Sequence, residues 1–359
     1  MVKNMIKKIK LAILFGGKSN EYIISLHSAT AIIKNVPKDR YDVTLIGITE
    51  SGKWLLYEGD TDSIYKDTWH KENSCPVSLN MDNSFKGFLK LNEENNSFEK
   101  IEIDCIFPVL HGRNGEDGTV QGLCQLSGIP FVGCDMASSA VCMDKEFTHI
   151  ICEMAGIKTA PFIAAVNSNT LNIKKLYEEA NEILSLPMFI KPANNGSSLG
   201  ISKIRNYDEF EKGIMEAFEC DKKVVIESMI EGFEIGCAVV GNDNLTIGEV
   251  DEIETKNDFF DYVEKYTQHN SKIHCPARIS DELKNEAKRM AEKAYRALRC
   301  SGMARIDIFV TPDSKIVLNE VNTIPGLTDL SRYPSMLKKI GIEYTDLIVK
   351  LVDLAMESK

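Results

Sequence analysis

The sequence predicts a mixed α/β protein, with an N-terminal doubly wound parallel sheet followed by two α+β units. Three observations carry this. Short apolar runs alternate with helical stretches from residue 10 to about 141, the pattern of strands covered by helices on both faces. Beyond residue 141, strands, helices and Gly/Ser-rich loops alternate less regularly, as in α+β units. At 359 residues the chain exceeds what one domain ordinarily holds and suggests two or three. The expected units are residues 1–141, 142–230 and 231–359.

The first residues are basic and then apolar, which imitates a secretory leader. The apolar run 11–15 is too short for one, and Gly16-Gly17-Lys18 follows at once. It therefore reads as a buried parallel strand, followed by a helix over 25–36 and strands at 41–48, 103–110 and 129–134. Residues 50–100 are polar and Asn-rich and read as a peripheral hairpin or long loop. The second unit offers a helix at 143–155, strands at 187–193 and 201–204, a helix at 208–219 and a strand at 223–229. The third offers strands at 234–241 and 244–253, a helix at 280–298 and a hairpin over 302–326.

A content of 43% hydrophobic and 26% charged residues is that of a soluble globular protein. The net charge of −11 disfavours nucleic acid as a partner, because phosphate contacts need a basic surface. No apolar stretch approaches the ~20 residues of a membrane span. Ten cysteines without CxxC pairs lie mostly in apolar runs and point to a reducing, cytoplasmic setting.

The hairpin carries the densest chemistry. Arg305 and Asp307 are two residues apart in one β-branched run, and Glu320 and Asn322 in the next, with the turn cluster Thr311-Pro312-Asp313-Ser314 between. If the turn closes with Thr311 near Ser314, Val310 pairs with Lys315 and Arg305 falls opposite Glu320. The four polar side chains then share one face, and Ile306, Ile308, Val317 and Val321 occupy the buried one. Three oxygen donors beside a guanidinium suit a hard divalent cation on a phosphorylated substrate. The same pattern also describes the solvated side of an ordinary hairpin.

Four loops could supply the rest of a site. Residues 16–21 pair two glycines with a helix start, which suits an anion. They form neither a Walker A loop nor GxGxxG, which sets a nicotinamide dehydrogenase aside. Residues 111–118 hold three glycines after a buried strand, at a sheet edge where ligands bind, with His111 expected to be exposed. Residues 191–200 place Lys191 at a strand end before a Gly/Ser flap. Residues 258–266 form an aromatic and charged loop.

Together, and in this order, these segments resemble the ATP-grasp D-alanine–D-alanine ligase family. The shared motifs are GGxSxE at 16–21, HGxxGEDGxxQG at 111–122, MDK at 143–145, KPxxxGSSxG at 191–200, DYxxKY at 261–266, RIDxF at 305–309 and NEVNTxPG at 319–326. Within the family the chain looks most similar to the VanG-type ligases, which make D-alanyl-D-serine for a modified peptidoglycan precursor. The resemblance implies an ATP-grasp fold. It implies a ligase that activates D-alanine as an acyl phosphate with ATP and couples it to D-serine. Asp307, Glu320 and Asn322 would hold two Mg2+ ions, with Mn2+ as an alternative. Lys145, Lys191, Ser198 and Lys265 would contact phosphate; Glu227, Met229 and Ile230 would read adenine, and Glu234 the ribose. Arg305 and the Gly326 N–H would stabilise an oxyanion. Glu21 would hold the first ammonium and, with Ser197 and Tyr266, join the loops of a lid. His111 and Ser331 would face the second amino acid. Arg332 follows, where D-serine-adding members carry Arg and D-alanine-adding ones usually Leu or Met. The resemblance also implies a homodimer with small-molecule partners only. Tyr22-Ile23 and Asn194-Asn195 depart from the usual pattern. The alternatives are a housekeeping D-alanine–D-alanine ligase and, more remotely, a non-catalytic nucleotide-binding regulator.

Overall fold

The computed structural model describes residues 7–82, 84–92, 95–196, 199–255 and 271–357. Its first sheet has the order β6-β5-β4-β3-β2-β1-β7. In chain order its elements are β1 (Ile9–Gly16), α1 (Tyr22–Asn35), β2 (Tyr41–Ile48), β3 (Trp54–Tyr57), α2 (Thr61–Tyr65), β4 (Ser74–Leu79), β5 (Gly87–Asn92), β6 (Ser97–Glu102) and β7 (Cys105–Val109). Strand β1 is apolar throughout its inner length because both faces are covered, and it pairs in parallel with β2 and β7.

The sheet departs from the expected parallel one. Strands β3 to β6 extend it in antiparallel fashion, through the stretch expected as a peripheral hairpin or loop. The connections from β2 to β3 and from β5 to β6 are short, and a parallel neighbour needs a crossover of about a dozen residues or more. Residues 129–134, expected as a strand, make only an isolated parallel bridge from Phe131 to Ile106.

Helices α3 (Thr119–Ser127), α4 (Met136–Met143) and α5 (Lys145–Met154) lead to a four-stranded antiparallel sheet of order β10-β9-β11-β8. It contains β8 (Phe162–Val166), β9 (Met188–Pro192), β10 (Ser202–Ile204) and β11 (Lys223–Ser228), backed by α6 (Ile173–Leu184) and α7 (Tyr207–Cys220). Asp144 ends α4 and caps α5, its side chain accepting from the Phe147 N–H. Leu176, Ala180 and Leu184 line the buried stripe of α6 at helical spacing.

The third sheet, of order β14-β13-β12-β15-β16, is antiparallel throughout. It comprises β12 (Phe233–Gly241), β13 (Thr246–Thr255), β14 (Ser271–His274), β15 (Gly302–Val310) and β16 (Ile316–Asn322). Helix α8 (Asp281–Ala297), capped by Ser280, covers one face with Leu283, Ala287, Ala291 and Ala294. Helices α9 (Arg332–Lys338) and α10 (Tyr344–Met356) follow. Leu347, Ile348 and Leu351 of α10 share one core with Phe15 and Leu26, so the chain's end closes over the first sheet. No described helix is long and apolar enough to cross a membrane.

The hairpin register differs from the expected one. Val310 pairs with Ile316, Asp307 with Glu320 and Arg305 with Asn322, and the register shifts between Asp307 and Ile308. This β-bulge accommodates Asn319 as an extra residue. The four polar residues still share a face, because they lie on one side of the bulge. Val317 does not share the face of Ile306: it pairs with Phe309, on the polar side, while Leu318 takes its place in the core.

Candidate functional site

The site begins on the polar face of β15 and β16. Asp307 is buried, and both its carboxylate oxygens accept from Arg305, at 2.8 Å and 3.1 Å from Nε and 2.7 Å from Nη2. Asn322 donates Nδ2 to Asp307 at 2.9 Å, which leaves its amide oxygen for another partner. Burial pushes the Asp307 carboxyl upward, but the charges of Arg305 and Arg332 outweigh it and hold the group below its ordinary value. Arg332, at the start of α9, is buried beside it. Its Nε and Nη2 donate to the two oxygens of Asp251 at 2.8 Å each, and Nη1 donates to Glu234 at 2.9 Å and lies 3.3 Å from Asp307. Gly236 makes room for this pair: a Cβ there would lie 2.4 Å from Arg332 Nη2 and 2.7 Å from Asp251 Oδ1.

A cavity of about 460 Å³ opens over this cluster, lined by Glu21, His111, Glu116, Arg305, Asp307, Asn322, Gly326, Ser331 and Arg332, among others. Ligand atoms of Glu21, His111 and Glu116 lie within 4.8 Å of one another. Burial and the nearby Glu21 carboxylate push the Glu116 carboxyl well above its usual range, while the Gly112 N–H donates to it at 2.6 Å. Ser331 bonds Thr328 through its hydroxyl at 2.7 Å, and a Cβ on Gly326 would meet that hydroxyl at 3.0 Å.

His111 is not exposed as its loop position suggested. Its ring is 4% accessible, because the loop folds down onto α1. Nδ1 faces the Ile324 carbonyl at 3.2 Å and Nε2 the Ser28 hydroxyl at 3.0 Å. The carbonyl can only accept, so Nδ1 carries the hydrogen and Nε2 accepts from Ser28. Burial lowers the ring's pKa to about 4. An unfolded chain protonates this histidine near 6.5. The unfolded state therefore binds more protons between those values, and folded stability falls as the pH drops from 6.5 towards 4. The expected loss is about 3 kcal/mol. Urea unfolding at pH 7 and pH 4.5 measures it, and His111→Gln should flatten this part of the profile.

A second cavity, of about 350 Å³, lies between β9, β11 and the third sheet. Lys145, Lys191, Glu227, Met229, Ile230, Glu234 and Glu320 line it, together with Phe309 and Asn319. Lys191 lies next to the end of β9 and donates to Glu227 at 2.6 Å. His149 donates to the other Glu227 oxygen at 3.0 Å. Lys145, at the start of α5, donates to the Asn195 carbonyl at 2.9 Å. A narrow cleft lined by Glu116, Lys145, Gly196, Glu320 and Asn322 connects the two cavities through residues common to both neighbourhoods.

Fifteen of the residues singled out in the sequence therefore surround two adjoining spaces, if Glu234, common to both, and the hairpin are counted with them. Ser197, Ser198, Lys265 and Tyr266 lie outside the described residues. Sequence reasoning missed four side chains. A strict period of two would set Asn319 apart from Glu320 and Asn322, and the bulge turns it inward. Asp251 was one of four acids in its strand, beside Glu249, Glu252 and Glu254, with nothing local to single it out. Glu116 stood inside a quoted motif without a role, and His149 within a plain amphipathic helix.

The donor set on the hairpin tests well for a divalent cation. Asp307, Glu320 and Asn322 offer oxygen ligands from two paired strands, the donor type a hard divalent cation takes.

Comparison with known proteins places these features in a family. The family model described as D-ala D-ala ligase N-terminus matches residues 10–134, and the one described as D-ala D-ala ligase C-terminus matches residues 151–353. The chain is 44% identical to the D-alanine--D-alanine ligase of Caldicellulosiruptor bescii, over 98% of this chain and 96% of that one. The VanG D-Ala:D-Ser ligase from Enterococcus faecalis has a solved structure that superposes with a TM-score of 0.89 at 46% identity, covering 97% of this chain and all of that one. The D-alanine-D-alanine ligase from Coxiella burnetii superposes with a TM-score of 0.86 at 30% identity, over 98% of this chain and 95% of that one. The mixed α/β architecture, with its several sheets, is thus the ATP-grasp fold that the motifs implied.

Proposed function

Since the chain belongs to the D-alanine–D-alanine ligase family, we propose that it uses ATP to join D-alanine to D-serine for a peptidoglycan precursor of the vancomycin-resistance type. The observation that carries this reading is the hairpin cluster of Arg305, Asp307, Glu320 and Asn322 at the junction of two cavities. Residues 1–141, 142–230 and 231–359 act as the three units of the clamp, and the active form is a cytoplasmic homodimer.

The second cavity takes the nucleotide. Glu227 and the backbone at Met229 and Ile230 meet the adenine edge, Glu234 the ribose, and Lys145, Lys191, Ser198 and Lys265 the phosphates. Asp307, Glu320 and Asn322 hold Mg2+, two ions when fully loaded, or Mn2+. Such an ion, when bound, offsets the negative charge of the phosphates. In the first cavity Glu21, with Glu116 beside it, holds the ammonium of D-alanine. The D-alanine carboxylate oxygen attacks the γ-phosphorus; that P–O bond forms as the bond to ADP breaks. The amine of the second amino acid then attacks the acyl carbon, loses a proton, and phosphate departs. Arg305 and the Gly326 N–H face the oxyanion of that tetrahedral intermediate. His111 and Ser331 orient the second amino acid. Glu21, Ser197 and Tyr266 tie the lid that keeps water from the acyl phosphate.

Arg332 supports D-serine because a guanidinium can donate to a hydroxyl, whereas an apolar residue fits a methyl. Its bonds to Asp251 and Glu234 use three of its five N–H groups. A housekeeping D-alanine–D-alanine ligase is the second reading. It is favoured by this anchoring of Arg332, and by the name of the relative from Caldicellulosiruptor bescii.

The test offers D-alanine, D-serine and ATP at neutral pH and separates the dipeptides. D-alanyl-D-serine is expected to dominate, with some D-alanyl-D-alanine, because a single hydroxyl discriminates modestly. Dominance of D-alanyl-D-alanine under excess D-serine would leave the housekeeping reading standing. ATP binding with no phosphate release would instead mark a regulator.

A further inference from the structure

We propose that His149 is a positioning residue for the nucleotide, acting through Glu227. This rests on the reading of the second cavity as the nucleotide site. His149 lies on α5, one turn beyond Lys145, and its ring is 1% accessible. Phe162 stacks on it, with ring centroids 4.9 Å apart and planes at 26°. Phe162 in turn sits opposite Glu227 on the neighbouring strand. The imidazole is thereby clamped in one orientation, with Nε2 aimed at Glu227 Oε1 at 3.0 Å. A carboxylate only accepts, so Nε2 supplies the hydrogen.

The other ring nitrogen explains why a histidine stands here. Nδ1 is buried and has no hydrogen-bond partner among the described residues. Among the described residues, the ring's one hydrogen bond is the bond to Glu227. Leucine or phenylalanine would fill the same space without orphaning a nitrogen, so packing alone does not account for the residue.

Glu227 receives one donor on each oxygen, His149 on Oε1 and Lys191 on Oε2 at 2.6 Å. The two donors are not equivalent. Lys191 is a flexible point charge at the cavity wall, and phosphate oxygens in that cavity compete for it. The fixed imidazole remains when they do. It keeps the carboxylate plane, and the second lone pair of each oxygen, directed at the base edge. Burial opposes the Glu227 charge, but Lys191 and His149 together outweigh it and hold the carboxyl at about 2, so the group acts as an acceptor throughout the working range.

The experiment compares His149→Leu, His149→Gln, Glu227→Gln and the double variant His149→Leu/Glu227→Gln with the parent enzyme. The readouts are KM for ATP, KM for D-alanine, kcat and the melting temperature. His149→Leu is expected to raise KM for ATP about tenfold, the weight of one hydrogen bond to a charged group. KM for D-alanine should stay within about twofold. Glutamine, which can still donate, should recover most of the loss. In the Glu227→Gln background the leucine substitution should add nothing to KM for ATP. The inference is overturned if His149→Leu lowers the melting temperature without moving KM for ATP, or if its full effect persists in the Glu227→Gln background. If Glu227→Gln itself leaves KM for ATP unchanged, the nucleotide reading of the cavity fails and the inference goes with it. Should His149→Leu not fold, His149→Phe keeps a ring against Phe162 and serves the same comparison.

Discussion

Glu320→Gln is expected to lower kcat for dipeptide synthesis by about 10³-fold or more while leaving the melting temperature nearly unchanged. The carboxylate is half-buried at the edge of both the connecting cleft and the second cavity, so the neutral amide fits the same volume. What changes is one full negative charge among the hard donors that offset polyphosphate. Charge compensation of this kind supplies most of the catalysis in phosphoryl transfer, because the protein has little covalent chemistry to do. Asp307→Asn should be equally inactive but less stable. Its buried carboxylate answers two guanidinium groups, the largely covered Arg305 and the buried Arg332, and breaking a buried pair costs about 3–5 kcal/mol. The two variants together separate chemistry from folding. Phosphate release and thermal melting are measured on each, across a range of Mg2+ concentrations. Activity of Glu320→Gln within tenfold of the parent would remove the hairpin from the reaction.

The contrast between those residues also shows how much was legible in the sequence. Spacing by two placed Arg305, Asp307, Glu320 and Asn322 on one face, and the structure keeps them there. The partner of each was misread by two positions: the turn closes one residue later, with Val310 opposite Ile316, and the bulge adds the second, neither changing any local composition. Asn319 therefore entered the site unannounced. Glycine-rich loops marked the rims of the cavities, since tight turns are local. His111 was read as exposed because loop position is local too, while its burial depends on Ser28 and Ile324, far away in the chain. The antiparallel extension β3 to β6 lacked signal for a related reason. Its strands are short and largely exposed on β6, so hydrophobic alternation is weak there. Asp251 and His149 show the limit most clearly. Each is an unremarkable polar residue in its own element, and only packing brings it to Arg332 or Glu227.

Arg332→Met, the natural test of D-serine preference, is expected first of all to destabilise the protein. The residue is 8% accessible, and its guanidinium answers Asp251, Glu234 and Asp307 at once. Methionine fills much of the volume but leaves the fully buried Asp251 without its bidentate partner. The cost is about 3–5 kcal/mol, or a melting temperature lower by on the order of 10 °C. Gly236 stands where a side chain would collide with the pair. The slot is therefore built for arginine by three strands, and a change in product ratio in the single variant would mix specificity with loosened structure. Arg332→Met combined with Asp251→Asn removes the orphaned charge and should recover a good part of the stability. In that background the ratio of D-alanyl-D-serine to D-alanyl-D-alanine is expected to fall about tenfold, the worth of one hydrogen bond to a charged donor. An unchanged ratio would assign Arg332 to the architecture of the Asp251–Glu234–Asp307 cluster alone. If the single variant melts with the parent, the pair does not hold this corner of the fold, and the guanidinium is free to serve the substrate.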